Sequence, residues 1–497
     1  MENGAAPLAV IDVGSNSVRL LIAKPLPRGH LDILDDARAT LRLARVVDAH
    51  GSIPPEVLEQ TLDAIGDFVR LAAHAGAESI HAVGTAALRD ADNADALAGA
   101  LRSRWGVKLK VLSGDAEVRL ASMGAVFGLP IDSGMLLDLG GGSLLLARIE
   151  DRKPVATWSF PFGTLRLTDR FLDADPPDED AMTALRRHVR RELRSAGVPR
   201  LGSGEVLVGT GGTVRNLANV SRRRQRYPIS RLHGHSITIR RLHRLTRLLA
   251  RMSLKERRGV RGLNADRAGI IAAGALVVDA VAAHTRTDAV LVAGQGLREG
   301  IARSQFIDEL PPVSDVRRSS VEVFAQRFGD VETDHAHHRA QLAVSLIALL
   351  DPEADEDLHE TVEYAAMLYN AGLQVDFYRR AGATTTILLD ANLAGFSQPQ
   401  IARIAAAARL ARRPTWEARS LRPLITADDE AALHRAGVVV AIAEEVRRRS
   451  EPGAVDASVG RRNLRITLPG GATWTPTDLS ERLQATFGVG LRIRGRS

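Results

Sequence analysis

Three stretches of the chain share one pattern, in which a short apolar run leads directly into a glycine-rich polar loop. They occupy residues 8–17, 135–143 and 206–213. Such a run is typical of a buried strand that ends in a tight turn, and the turn can direct several backbone N–H groups toward one anion. One such loop is as often a plain turn, but three in one chain indicate a single polyphosphorylated ligand held between them.

The order of predicted elements around the first loop is repeated around the second. Asp12 and Asp138 each end a predicted strand, and two further strands follow each of them, at residues 18–23 and 31–43 and at 144–149 and 155–160. Helices and strands then alternate, which predicts a mixed sheet covered by helices. We therefore expect an internal duplication, with lobe I at 1–128, lobe II at 129–308 and a ligand cleft between them.

The acidic, proline-bearing stretch at residues 308–315 is the predicted linker to a third domain at 316–497. Helical apolar spacing predicts helices at 321–328, 335–350, 358–372, 398–411 and 428–449. Two strand-like segments, at 463–468 and 489–493, flank a short predicted helix near the end.

Composition limits the partners that are expected. The 497 residues exceed what one core holds, and 45% hydrophobic with 25% charged residues is ordinary for a soluble globular protein. A formal charge of +7 and a pI near 10.1 indicate an anionic partner. The low aromatic content of 4% argues against nucleic acid as that partner.

The chain contains no cysteine, which excludes disulfides, thiolate metal sites and cysteine nucleophiles. Its first residues lack the basic-then-apolar pattern of a signal peptide. The longest apolar run, residues 268–283, is interrupted by Asp279 and is shorter than a bilayer crossing requires. We expect a cytoplasmic protein that has no membrane partner.

Several longer motifs occur in a fixed order through the first 300 residues. They are Asp12-x-Gly-Ser-Asn-Ser-x-Arg-Leu20, Gly84-Thr-Ala-Ala-Leu-Arg89, Ser113-Gly-Asp-Ala-Glu117, Asp138-x-Gly-Gly-Gly-Ser143, Gly209-Thr-Gly-Gly-Thr213, Gly262-Leu-Asn-x-Asp-Arg267 and Gly296-Leu-Arg-Glu-Gly300. On these motifs the chain resembles the exopolyphosphatase / guanosine pentaphosphate phosphohydrolase family. The resemblance implies an α/β fold of two ribonuclease-H-like lobes, as in actin, hexokinase and Hsp70-type ATPases, followed by a mainly α-helical, HD-like C-terminal domain.

The resemblance also implies an activity and the residues that perform it. It implies Mg²⁺-dependent release of terminal orthophosphate from inorganic polyphosphate or from guanosine pentaphosphate, by a homodimer. Asp12 and Asp138 would hold Mg²⁺, with Glu117 and Asp138 catalytic and Glu117 activating the attacking water. The implied phosphate ligands are Gly14, Ser15, Asn16, Arg89, Gly140, Gly141, Gly142, Ser143, Gly211, Gly212 and Thr213. Arg19 and Arg298 are equally open to a ligand role or a structural ion pair.

The chain departs from the family pattern at two places. Leu145 stands where the family usually has a second active-site glutamate, so the metal or the water loses one carboxylate. In the C-terminal domain, Tyr369-Asn370 replaces the expected metal-binding His-Asp pair, and His335, His337 and His338 are interpreted as surface or capping residues. We therefore expect that domain to be non-catalytic.

These departures keep two alternatives open beside a lowered phosphohydrolase activity. The first is a protein that binds guanosine polyphosphate or polyphosphate without hydrolysing it. The second is a sugar kinase or chaperone-like ATPase on the same fold, against which the Glu117 segment and the lack of a sugar-acceptor motif argue.

Overall fold

The computed structural model describes residues 5–328, 333–449, 455–468 and 476–495. The described chain forms two compact units. The first runs to residue 226 and then from 231 to 316, and the second takes in residues 227–230 and those from 317 onward.

The first unit contains two sheets and the helices that cover them. Its strands are β1 Leu8–Val13, β2 Val18–Pro25, β3 Leu31–Ala39, β4 Ser79–Gly84, β5 Leu109–Val111, β6 Gly134–Leu139, β7 Leu144–Glu150, β8 Lys153–Phe160, β9 Val206–Thr210, β10 Ser236–Thr238 and β11 Ala289–Val292. Its helices are α1 Leu43–His50, α2 Pro55–His74, α3 Ala86–Arg89, α4 Ala94–Trp105, α5 Gly114–Phe127, α6 Thr164–Phe171, α7 Glu179–Ser195, α8 Gly211–Gln225, α9 Ile239–Arg251, α10 Leu254–Arg258, α11 Ile271–Thr285 and α12 Leu297–Arg303.

The two sheets have the same strand order, which confirms the predicted duplication. The first is ordered β3-β2-β1-β4-β5 and the second β8-β7-β6-β9-β11, with β10 added at the edge. In each, the first three strands pair antiparallel, and the central strand pairs in parallel on its other side, β1 with β4 and β6 with β9. One difference from the prediction is that β3 ends at Ala39, because α1 begins at Leu43.

Helices α5 and α12 pack against each other between the two sheets. Val118 and Ala121 of α5 are buried against Leu136 of the second sheet. Ile301 of α12 is buried against Val10 of the first sheet. The remaining large helices cover the outer faces, so that the first unit is layered helix, sheet, helix pair, sheet, helix.

The second unit is mainly helical and carries a small sheet. Its helices are α13 Val313–Phe328, of which the first four residues belong to the first unit, α14 Thr333–Leu350, α15 Glu356–Met367, α16 Arg380–Asp390, α17 Gln398–Arg412, α18 Asp429–Arg447 and α19 Thr477–Phe487, and its strands are β12 Asp456–Val459, β13 Asn463–Leu468 and β14 Gly490–Gly495. The sheet order is β12-β13-β14. Strands β13 and β14 pair in parallel, and α19 lies between them in the chain.

In the second unit, the sequence predicted most of the elements but missed α16 and β12. Residues 380–390 lack a clear apolar stripe, because alanines and threonines fill the buried positions of α16. The prediction that His338 is a surface or capping residue was wrong. His338 is 8% exposed, because it lies on the side of α14 that faces the core of the unit.

No helix in the described ranges is both long enough and apolar enough to cross a membrane.

Candidate active site

The three glycine-rich loops predicted from the sequence meet at one cavity inside the first unit. A methyl group added to Gly142 would lie 2.7 Å from Ser15 Oγ, so the second loop touches the first. A methyl group added to Gly211 would lie 2.9 Å from Asp138 Oδ1, so the third loop touches the second. The lack of side chains at these glycines therefore permits the close approach of the loops.

The first two loops have the same backbone geometry. Gly14 N donates to Ser17 O at 3.2 Å, and Gly140 N donates to Ser143 O at 3.0 Å. Carbonyl groups of both loops accept hydrogen bonds from backbone N–H groups at the start of a helix. The helix is α1 for the first loop and α6 for the second. Loops of this kind can direct several backbone N–H groups toward one anion, and both loops line the cavity.

The third loop is the first turn of α8, which begins at Gly211. Gly211 has a φ of +88°, a conformation that favours glycine, and it allows the chain to turn from β9 directly into the helix. The N–H groups of a helix N-terminus have no intrahelical partners and attract negative charge. Gly211 and Gly212 both line the cavity, so the start of this 15-residue helix forms part of the wall.

Two partly buried carboxylates line the cavity, those of Asp12 and Asp138. Each is the penultimate residue of its strand, Asp12 in β1 and Asp138 in β6, so the duplicated strands place them at equivalent positions. Asp12 Oδ1 is buried and has no hydrogen-bond partner among the described residues. Burial raises the pKa of Asp12 above its usual range, and repulsion from Glu299 adds to this rise. Burial, with repulsion from Asp12, raises the pKa of Asp138 to about 6.

These two carboxylates fit a divalent cation. A cation would give Asp12 Oδ1 the partner it lacks and would stabilise the ionised form of both carboxyl groups. Among the described residues, no group of three or more His, Cys, Asp or Glu side chains could hold a metal ion. Mg²⁺ is commonly held by one or two carboxylates together with water and substrate phosphates, which is the set that this cavity can supply.

Glu117 lies at the start of α5, with its side chain buried and in contact with Arg89. Ser113 caps the helix by accepting a hydrogen bond from Ala116 N at 3.2 Å, and this fixes where the first turn lies. Arg89 Nη1 donates to Glu117 Oε2 at 2.6 Å and to Leu112 O at 2.8 Å. Burial raises the pKa of Glu117 to about 7, although the hydrogen bond from Arg89 opposes the rise.

Three arginines face the cavity without forming an ion pair to any described residue: Arg19, Arg215 and Arg267. Burial and repulsion from neighbouring arginines lower the pKa of Arg19 to about 9. The pKa of Arg267 is lowered to about 10 by burial and by Arg215. Partly or fully buried cations that are close together and form no ion pair are a feature of sites that receive an anion.

Most of the residues predicted from the sequence line this cavity: Asp12, Gly14, Ser15, Asn16, Glu117, Asp138, Gly140, Gly141, Ser143, Gly211 and Gly212. Three other predicted residues do not line the cavity. Arg89 is bound to Glu117, Gly142 packs on Ser15, and Thr213 lies under Gly274 of α11. The roles assigned to all of these residues stay predictions.

The cavity is also lined by Arg215, Arg267 and Glu299, to which no role was assigned from the sequence. Arg267 and Glu299 belong to motifs that carried the resemblance, and Arg215 follows the third loop by one helical turn. Arg298 is held by Asp36 at 2.6 Å and by Leu20 O at 2.6 Å, which places it in a structural ion pair.

Leu145 lies directly opposite Asp138 on β7, with its side chain on the same face of the sheet. It is 1% exposed and packs in a cluster with Val118 and Ala121 of α5. A methyl group added to Gly114, at the first turn of that helix, would lie 4.0 Å from Leu145 Cδ2. Leu145 therefore fills the space between Asp138 and the turn that carries Glu117.

A sequence model of the Ppx/GppA phosphatase family matches residues 22–308, and a model of the Ppx/GppA phosphatase, domain III, matches residues 316–468. The chain belongs to the Ppx/GppA phosphatase family. It is similar to Exopolyphosphatase 1 of Mycobacterium tuberculosis, with 32% identity over 331 residues that cover 66% of this chain and 96% of that protein. Exopolyphosphatase 2 of the same organism is 33% identical over 316 residues, covering 60% of this chain and 98% of that protein.

Solved structures of Ppx/GppA proteins share the fold of this chain. The Ppx/GppA family member from Aquifex aeolicus matches with a TM-score of 0.55 and 26% identity over 60% of this chain and 97% of that one. These matches confirm the predicted resemblance. They also confirm the fold class, an α/β pair of actin-like lobes followed by a mainly helical C-terminal domain.

Proposed function

We propose that this Ppx/GppA protein is an Mg²⁺-dependent exopolyphosphatase that releases terminal orthophosphate from inorganic polyphosphate. One observation carries the proposal. Three arginines without an ion pair to a described residue, two phosphate-type loops and a helix N-terminus converge on a cavity that also contains two partly buried aspartates. The arrangement suits a highly charged phosphate chain with a divalent cation, and the similar mycobacterial proteins are named exopolyphosphatases.

Binding is assigned to the loops and the arginines. Backbone N–H groups of the loops around Gly14, Gly140 and Gly211 would donate to the oxygens of the terminal phosphate. Arg19, Arg215 and Arg267 would pair with its charge. Asp12 and Asp138 would hold Mg²⁺, which when bound neutralises charge on the phosphate oxygens. These interactions restrict the terminal phosphate to one position, where water can attack it in line.

Glu117 is assigned the activation of that water. Its ionised carboxylate would accept a proton as the water oxygen attacks the terminal phosphorus, while the bridging oxygen leaves with the shortened chain. Arg89 holds the Glu117 carboxylate in place and favours its ionised form through the 2.6 Å hydrogen bond. We therefore assign Arg89 as a positioning residue, and this role differs from the phosphate clamp expected from the sequence.

The experiment is to measure phosphate release from long-chain polyphosphate, in the presence of Mg²⁺, for the Glu117→Gln variant. Loss of a general base lowers rates by about 10²- to 10⁴-fold, and a decrease of that size is expected. Asp115→Asn is the matched control, because Asp115 lies in the same helical turn but is exposed and pairs with Arg119. Equal activity of Glu117→Gln and the unmodified chain would refute the assignment.

Leu145 favours a second candidate function, binding of polyphosphate or of a guanosine polyphosphate without efficient hydrolysis. The side chain occupies the position opposite Asp138 with an apolar group, so the site has one acidic group fewer than the family pattern. Tight binding of either compound by the unmodified chain, with no phosphate release from either, would establish this alternative.

Guanosine pentaphosphate is the second substrate to include in both measurements. Its terminal phosphate presents the same charge to the loops. The rate of phosphate release from guanosine pentaphosphate, compared with the rate from polyphosphate, therefore shows which substrate the protein prefers. The homodimer and the cytoplasmic location expected from the sequence stay predictions.

A further inference from the structure

A second cavity lies wholly within the second unit. It has a volume of about 520 Å³, which falls within the range of sites that bind small molecules. Its wall is formed by the segment that follows α15 and by residues of α16, α17, α18 and α19. The elements of the unit thus enclose a space that the packing of their apolar faces does not fill.

Three arginines of this wall form no ion pair with any described residue: Arg380, Arg412 and Arg482. Arg412 Nη2 donates to Asn370 Oδ1, but Nε and Nη1 of Arg412 are buried without a hydrogen-bond partner. Buried donors without partners carry a free-energy cost, which a bound acceptor would remove.

The other two arginines are held by backbone carbonyls and form no ion pair with a described residue. Arg482 donates to Ala411 O at 3.2 Å and to Leu410 O at 3.0 Å. Arg380 donates to Phe377 O at 2.9 Å. Carbonyl contacts hold a guanidinium in place but supply no negative charge, so these side chains are pre-positioned for an anion.

The carboxylates of the wall are mostly engaged with other arginines. Glu444 accepts hydrogen bonds from Arg339 and Arg447, each at 2.9 Å. Glu445 pairs with Arg449 and lies 3.9 Å from Arg448. Asp478 is the remaining acidic residue of the wall, and it lies near Arg482. The uncompensated charge of the cavity is therefore positive.

The three arginines lie in the part of the unit where the family resemblance predicts a metal-binding His-Asp pair. Tyr369 and Asn370 stand at those two positions, and the guanidinium carbon of Arg412 lies 3.7 Å from the centre of the Tyr369 ring. Within the described residues, no cluster of acidic or histidine side chains could bind a metal here. An arginine thus contacts both residues that replace the expected metal ligands.

We propose that this cavity is a metal-free binding site for the phosphate groups of a polyphosphorylated small molecule. Guanidinium groups form strong, charge-assisted hydrogen bonds to phosphate, and Nε and Nη1 of Arg412 have no hydrogen-bond partner among the described residues. Arg380 and Arg482 supply further positive charge from the same wall. The site is separate from the cavity of the first unit, so it does not depend on the function proposed for that cavity.

The phosphate groups can belong to an inorganic chain or to a nucleotide, and one residue favours the nucleotide. Phe377 lines the cavity and its side chain is 59% exposed, which is unusual for a large aromatic residue. Arg380 lies 4.1 Å over its ring. An exposed ring beside phosphate-binding arginines offers a surface on which a nucleobase can stack.

The test is calorimetric titration of the full-length chain carrying Glu117→Gln, which prevents hydrolysis, with inorganic tripolyphosphate and separately with ATP, both in EDTA. Two classes of site are expected, one in each unit. Adding the substitution Arg412→Gln should lower the affinity of one class of site at least tenfold and leave the affinity of the other class unchanged. Arg380→Gln should lower the affinity of the same class of site. It provides a second test in case Arg412→Gln does not fold, which thermal melting would detect.

The matched control is Arg465→Gln, which removes the same charge from an exposed position of β13 in the same unit. It should leave both classes of site unchanged. Tighter binding of ATP than of tripolyphosphate, lost in Phe377→Ala, would assign the site to nucleotides, and equal binding would assign it to the phosphate chain alone. A single class of site that Arg267→Gln abolishes and Arg412→Gln and Arg380→Gln leave intact would overturn the proposal.

Discussion

Glu117 and its partner Arg89 show how a single contact can determine the behaviour of a proposed catalytic group. Burial alone would keep the Glu117 carboxyl protonated well above its ordinary pKa, and a protonated carboxyl cannot accept a proton from water. The hydrogen bond from Arg89 and its charge act in the opposite direction. The result is a pKa of about 7, which suits a general base near neutral pH.

This balance predicts the pH dependence of hydrolysis. Since the base must be ionised, the rate should rise by about tenfold per pH unit below the Glu117 pKa and level off above it. Replacing Arg89 with Met removes an interaction that lowers this pKa, so the rising limb should move to higher pH. The rate in Arg89→Met should therefore fall more at pH 6 than at pH 9, which pH–rate profiles of kcat/KM would measure.

Arg104→Met is the control for this experiment, because Arg104 pairs with Glu59 at an exposed position. Its profile should match that of the unmodified chain. If Arg89→Met instead raises KM equally at all pH values, Arg89 contacts the substrate phosphate rather than positioning Glu117.

A second prediction at this scale concerns Leu145. Leu145→Glu places a carboxylate opposite Asp138, where it could add a ligand for Mg²⁺. Without metal, the buried charge should destabilise the protein by a few kcal/mol. Adding Mg²⁺ should then raise the melting temperature of Leu145→Glu more than that of the uncharged control Leu145→Gln, and phosphate release should reach half its maximum at a lower Mg²⁺ concentration. Identical Mg²⁺ responses of the two variants would contradict the proposal.

Helices α5 and α12 connect the two sheets at the scale of the element. Their backbones approach closely, because a methyl group added to Gly124 would lie 1.8 Å from Gly296 O and one added to Gly300 would lie 1.8 Å from Leu120 O. Only glycine permits this distance. The pair also carries Glu117 and Glu299 to the cavity, so the packing of the helices determines the geometry of the site.

Gly124→Ala tests this packing. The new methyl group cannot fit without a backbone shift, so a loss of about 3 kcal/mol or more in the free energy of unfolding is expected. Gly99→Ala is the matched control, because Gly99 lies in α4 with no heavy atom within 4 Å of the added methyl group. That substitution should stabilise the protein by up to about 1 kcal/mol. Urea denaturation followed by circular dichroism measures both, and equal effects of the two substitutions would show that the helices do not require glycine.

At the scale of the whole molecule, the proposed catalytic residues and the hydrophobic clusters that support them belong to the first unit. Each of the clusters around its two sheets contains only residues of that unit. Exopolyphosphatase 1 of Mycobacterium tuberculosis is matched over 96% of its length by 331 residues, so a related chain of about that size exists as a complete protein. The second unit has its own core and its own cavity.

Removal of the residues from 313 onward, which include all of the second unit except 227–230, is therefore expected to preserve hydrolysis. A chain that ends at residue 312, just before α13, should fold and should release phosphate from tripolyphosphate at a rate within about tenfold of the full chain. Phosphate release and a cooperative thermal transition are the measurements. An unfolded or inactive fragment would show that the first unit depends on the residues beyond it.

How much was predictable from the sequence differs among these residues. The strand-and-glycine pattern placed Asp12 and Asp138 correctly at the ends of equivalent strands, because strand periodicity and glycine turns are local properties of the chain. Arg215 and Arg267 were not assigned, because the local sequence around an arginine is the same whether its side chain faces solvent or a cavity. Arg89 was expected on a phosphate, and only the folded chain brings it to Glu117, 28 residues away.

The duplicated α/β lobes, the three loops and the family can be recognised in the sequence alone, since they depend on patterns that recur along the chain. Which charges form ion pairs depends on the tertiary structure. Arg298 pairs with Asp36, whereas Arg19 and Arg412 form no ion pair with any described residue. Charge pairing depends on distance in space, and residues far apart in sequence become neighbours only when the sheets and helices pack.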